Sequence, residues 1–135
     1  MEHSLNSPNL PSGSALAFLG DAVFSLYIRN ELVKSGISHS KNLNIFAQKY
    51  VTATAQAKFL SEIRDMLNDE EYGIYRRAAN SNHLNRPKNV PAAVYRSATG
   101  LEALFGALYY TGHIDRMNEL LSKLQIEVAY DDTEN

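Results

Sequence analysis

The sequence predicts an all-α domain, and three observations carry that reading. No window shows apolar–polar alternation at period two backed by turn residues, which is the mark of a strand. Apolar residues recur instead at three- and four-residue spacing through most of the chain. The helix breakers Gly36, Pro87, Pro91 and Gly112 fall between those stretches, where helices start and stop.

Taken in order, residues 1–12 are polar with two prolines and read as an irregular arm. Ser12 or Ser14 can cap a first helix that runs to about Lys34 and is stopped by Gly36. Leu16, Leu19, Val23, Leu26 and Tyr27 line one side of it, and Phe18, Phe24 and Ile28 cover much of the other. A helix apolar nearly all round is expected at the centre of the core. A second helix starts near Ser40 with Leu43, Phe46, Ala47 and Tyr50, and Thr52 can cap a third from Ala53 to Leu67. Asn68 followed by Glu71 is a capping-box pattern that opens a fourth helix to about Asn80. Ser81 to Asn89 is a polar loop. Pro91 suits the first turn of a fifth helix ending at Gly112, and Ile114 to Val128 reads as a sixth. The domain spans 13–128, and 129–135 is an acidic tail.

Composition bounds the chemistry. The 135 residues are 44% hydrophobic and 21% charged, which suits one folded domain rather than a disordered chain. The absence of cysteine excludes disulfides, thiol catalysis and thiolate zinc sites, and it fits a reducing cytoplasm. The most apolar stretch, Ala15 to Ile28, is too short to span a bilayer and holds Asp21, so no membrane association is expected. The N-terminus lacks the basic-then-apolar order of a signal peptide.

Two acids stand out by their neighbours. Asp21 sits in LAFLGDAVFSLY and Glu102 in TGLEALFGALYY, the two most apolar helices. An ionised carboxylate on a buried face costs several kcal/mol, roughly, unless it is paired or bound to metal. Taken singly, each acid is readily explained by an arginine or a tyrosine hydroxyl in the core. Two of them, with no basic residue adjacent in sequence, favour a shared metal. Oxygen ligands alone point to a hard cation, Mg²⁺ or Mn²⁺. Gly20 and Gly106 beside this pair cost helix stability, and close approach of two helices or of a ligand is a reason to keep them.

The phrases FLGDAV and LEALFGALY together resemble the ribonuclease III catalytic domain. Adding ALAFLGDAVF, KYVTATAQAK, RPKN and YRSATGLEALFG, the chain is most similar to Mini-III ribonucleases, the small members without a double-stranded-RNA-binding domain. The resemblance covers roughly Ser14 to Leu124. It implies a ribonuclease III-type helical bundle that assembles as a homodimer. Such an enzyme is an endoribonuclease cutting double-stranded RNA with Mg²⁺, or Mn²⁺ as a substitute, in ribosomal RNA maturation, specifically of the 23S precursor. Asp21 and Glu102 match the family's metal-binding acids and are the expected catalytic residues. Full-length ribonuclease III has further acids where this chain carries Ala17 and Thr99. Mini-III members share that loss.

Charge is distributed unevenly. The segment from Tyr72 to Leu101 holds Arg76, Arg77, Arg86, Lys88 and Arg96, five of the chain's 13 basic residues, and none of its 15 acidic ones, although the net charge is −2. Such a segment is either a solvated loop or a local anion site. The resemblance implies an RNA-contacting loop, which departs from relatives at Ala78, Ala79 and Asn82. His39, Lys41 and Asn42 form a weaker basic patch, read as a solvated face. The four histidines show no ligand spacing, with His83 a candidate phosphate contact. The rival to an enzyme is a non-catalytic RNA- or protein-binding domain of the same fold, kept open by Ala17 and Thr99.

Overall fold

The computed structural model describes residues 4–81 and 86–127, and they form six α-helices with no strand among them. These are α1 (Gly13–Lys34), α2 (Ser40–Val51), α3 (Ala53–Ile63), α4 (Asp69–Ala79), α5 (Ala92–Tyr110) and α6 (Ile114–Leu121). The expected all-α class holds. So do the expected caps. Ser12 accepts from the Ala15 amide and Thr52 from the Ala55 amide, and Asn68 with Glu71 closes a full capping box. Gly36 and Gly112 both stand at positive φ, 99° and 84°, where they end α1 and α5.

The helix at the centre is α5, with α1, α3, α4 and α6 packed around it. Every residue from Ala98 to Leu108 is buried except Glu102. The first helix is less central than its composition predicts. Leu16, Ala17, Gly20, Val23, Phe24, Ile28 and Leu32 face inward, while Phe18 is 85% exposed, Leu26 69% and Val33 58%. Apolar content on both sides of a helix therefore does not mean burial on both sides here. One side packs on α5 and the other is open.

Two helices are shorter than expected, and tertiary contacts explain both. The third ends at Ile63 and tightens into a 3-10 turn at Arg64–Met66, where the Met66 carbonyl accepts from Arg116 Nη2 of α6 at 2.5 Å. The sixth ends at Leu121 rather than Val128. Lys123 and Leu124 then bond back three residues instead of four, and the Tyr50 hydroxyl of α2 takes the Glu127 amide at 2.8 Å. In the arm, Leu5 is buried against the core and the Asn6 side-chain amide donates to Glu70. Val128, the 129–135 tail, Asn82 and His83 lie outside the described residues. Among the described residues no helix is long and apolar enough to cross a membrane.

Candidate active site

The site is built where α1 and α5 touch backbone to backbone. A Cβ placed on Gly20 would lie 1.6 Å from the Glu102 carbonyl oxygen, and one on Gly106 would lie 1.9 Å from that of Leu16. Any side chain at either position would push the helices apart. The helices can come this close only because both positions are glycine, and that contact brings the Asp21 and Glu102 side chains together.

The two carboxyl groups are within hydrogen-bonding reach of each other. Burial first, then the hydrogen bond and charge of Asp21, push Glu102 up to about 8, against a hydrogen bond from Gln56 that acts the other way. Asp21 itself is exposed and Glu102 is half-buried. Of the two acids expected on buried faces, only Glu102 is shielded from solvent. The fully buried acid is Glu71, 1% exposed, and its partner is structural. Arg116 clamps it with Nε to Oε2 at 2.8 Å and Nη2 to Oε1 at 2.9 Å.

A phenylalanine lies one turn beyond each polar residue of the site: Phe24 after Asp21, Phe59 after Gln56, Phe105 after Glu102. The three rings form a triangle with centroids 6.0 to 6.3 Å apart. An aromatic layer thus locks α1, α3 and α5 in register beneath a polar layer. Gln56 is the residue the sequence reading missed. The signal was present, since Gln56, Phe59, Leu60 and Ile63 share one helical face and three of the four are apolar.

The donor set fits a hard divalent cation. A Glu102 carboxyl that burial and a neighbouring acid keep protonated would release its proton to a dication, and both acids offer only oxygen. Ala17 and Thr99, one turn before Asp21 and Glu102, are buried and carry no carboxylate. No cluster of three or more His, Asp or Glu side chains that could hold a metal occurs among the described residues.

All five residues of the basic segment are exposed. Arg76 and Arg77 close α4, whose Tyr75 packs on Gly100 and brings its hydroxyl 3.5 Å from Ser97 Oγ of α5. Arg96 stands on α5, about 9 Å along the axis from Glu102 at 1.5 Å per residue. Arg86 Nη1 donates to the Val90 carbonyl at 2.8 Å, and Lys88 projects from the same loop. No salt bridge engages any of the five among the described residues. His39, Lys41 and Asn42 are at the start of α2.

The ribonuclease III domain matches this chain over residues 14–113. The chain belongs to the ribonuclease III family. Its relatives place it in the Mini-III branch. The Mini-ribonuclease 3 of Streptococcus pneumoniae is 40% identical over 116 residues, covering 84% of this chain and 91% of the relative. That of a Thermoanaerobacter species is 43% identical over 113 residues, covering 84% and 79%. A crystallographically solved protein of Fusobacterium nucleatum superposes with a TM-score of 0.77 at 32% identity, covering 84% of this chain and 87% of its own. Ribonuclease III enzymes are RNA-cleaving endonucleases that depend on a divalent metal.

Proposed function

We propose that this chain is an endoribonuclease that cleaves duplex RNA with Mg²⁺ held by Asp21 and Glu102. Mn²⁺ is the expected substitute, and the substrate is a ribosomal RNA precursor in the cytoplasm, the 23S precursor in particular. The single observation that carries the reading is the meeting of Asp21 and Glu102 at a helix contact that only Gly20 and Gly106 permit. Two acids drawn together at a stability cost, with no basic partner among the described residues, are poorly explained as structural.

A bound divalent ion supplies an activated water and offsets charge that builds on the scissile phosphate. The chain's own residues do the rest. Asp21, exposed on α1, and Glu102, half-buried on α5, are the residues that would hold that ion. The phenylalanine layer beneath keeps the two helices in fixed register. Arg76, Arg77, Arg86, Lys88 and Arg96 neutralise phosphates along the duplex, a contact that reads shape more than sequence. The open side of α1, with Phe18, Leu26 and Val33, supports assembly as a homodimer. Large apolar side chains left exposed on one side of a helix are expected to be covered in solution.

The test is incubation with duplex RNA in Mg²⁺, in Ca²⁺ and in EDTA. Cleavage in Mg²⁺ alone supports the reading. Binding without cleavage in every metal would make the chain a non-catalytic RNA-binding domain. Repeating the assay on 23S precursor RNA tests the substrate.

A further inference from the structure

We infer that Gln56 is a positioning residue for the metal site, its side-chain amide holding one oxygen of Glu102 so that the carboxylate is presented to the ion. The inference rests on the metal-site reading above and deepens it. Gln56 is 2% exposed, and its Nε2 donates to Glu102 Oε2 at 3.4 Å, long for an N–H···O bond but directed at the acid rather than at the backbone. It occupies the one polar position on a face of α3 otherwise made of Phe59, Leu60 and Ile63. An apolar side chain there would avoid the cost of burying an amide. The register explains where the amide is used. Phe59 joins Phe24 and Phe105 in the aromatic layer, so the residue one turn before it stands level with Asp21 and Glu102.

Glutamine suits the role. Its amide donates to an anion and, being neutral, does not compete with the cation for the acids' negative charge as lysine or arginine would. With only two carboxylates available, the orientation of each weighs more than in a site with four. Groups that orient metal ligands commonly change affinity or activity by about 10- to 100-fold when removed.

The experiment replaces the donor with apolar side chains of similar size, Gln56→Leu and Gln56→Met, in the full chain. Mn²⁺ binding is followed by electron paramagnetic resonance without RNA, alongside thermal melting and single-turnover RNA cleavage across metal concentration. The expected result is Mn²⁺ affinity about tenfold weaker, a melting temperature unchanged or raised, cleavage that recovers as metal is added, and an unchanged KM for RNA. A purely structural glutamine gives the opposite pattern, a lower melting temperature with wild-type Mn²⁺ affinity, and that overturns the inference. Failure of both variants to fold overturns it too. Wild-type protein that binds no Mn²⁺ sinks the metal site itself. Variants that match a Mn²⁺-binding wild type sink only the role of Gln56.

Discussion

A methyl group on Gly20 would stand 1.6 Å from the carbonyl oxygen of Glu102, so a glycine on one helix sets the position of the acid on the other. Gly20→Ala is therefore expected to destabilise the fold by at least about 3 kcal/mol, the upper end of what overpacking costs. Gly36→Ala is the control. Its φ of 99° is strained for alanine, but an added Cβ meets nothing beyond its own chain neighbours within 4 Å, so it costs about 1–2 kcal/mol and leaves cleavage intact. Denaturant melts of the two variants check the difference.

Asp21→Asn and Glu102→Gln are each expected to abolish cleavage while the chain stays folded, because each removes a ligand charge and keeps the volume. Loss of several kcal/mol of transition-state stabilisation, roughly, lowers the rate by more than about a hundredfold. Circular dichroism and a duplex-cleavage assay decide it. Activity per folded molecule that stays at wild type would show that the two acids are structural partners only.

Metal affinity should depend on pH through Glu102. With its carboxyl held at about 8, a proton occupies the pair at neutral pH and the cation must displace it. Affinity for Mn²⁺ is expected to rise with pH and level off above about 8. The stability linkage has the opposite sign. A carboxyl raised in the folded state favours folding fully below its unfolded value of 4.5, and that contribution is lost as pH rises through about 8. Melting in EDTA from pH 5 to 9 should show this loss, and saturating Mg²⁺ should reverse it. A metal affinity independent of pH over that range would contradict a proton held on Glu102.

Replacing Arg77 and Lys88 together by alanine should weaken binding of different duplex sequences alike and flatten its salt dependence. Each lost phosphate contact releases about one fewer counterion. Chemistry at saturating RNA should stay near wild type, unlike in Asp21→Asn. Salt titration of duplex affinity, paired with single-turnover cleavage, separates the two effects. An unchanged salt slope would mean that RNA is held elsewhere.

Phe18→Glu combined with Leu26→Glu should convert a homodimer to monomers without unfolding the chain. Phe18 is 85% exposed and Leu26 69%, so neither supports the subunit core. Sedimentation at micromolar protein reads the result. A wild-type chain that sediments as a fully active monomer would rule out the dimer.

The helices were legible because their signals are local. Capping side chains bond amides three residues away, and glycine stops a helix by its own φ, so Ser12, Thr52, Asn68, Gly36 and Gly112 can be read from neighbours alone. The ends of α3 and α6 were not legible. They depend on Arg116 reaching the Met66 carbonyl and on Tyr50 taking the Glu127 amide, both from distant elements.

The sequence by itself determined the all-α class, the pair Asp21 and Glu102, and the basic run from Arg76 to Arg96, because residue type and spacing carry those features. Only the tertiary structure decided which acids are desolvated. Asp21 has apolar neighbours and Glu71 follows Asp69 and Glu70, yet Asp21 is exposed and Glu71 is 1% exposed in the grip of Arg116. Burial is a property of what packs against a side chain from other helices, and neighbours in sequence do not report it. The same reason hid Gln56. Its partner Glu102 lies 46 residues away, and only the packing of α3 on α5 brings the two within 3.4 Å.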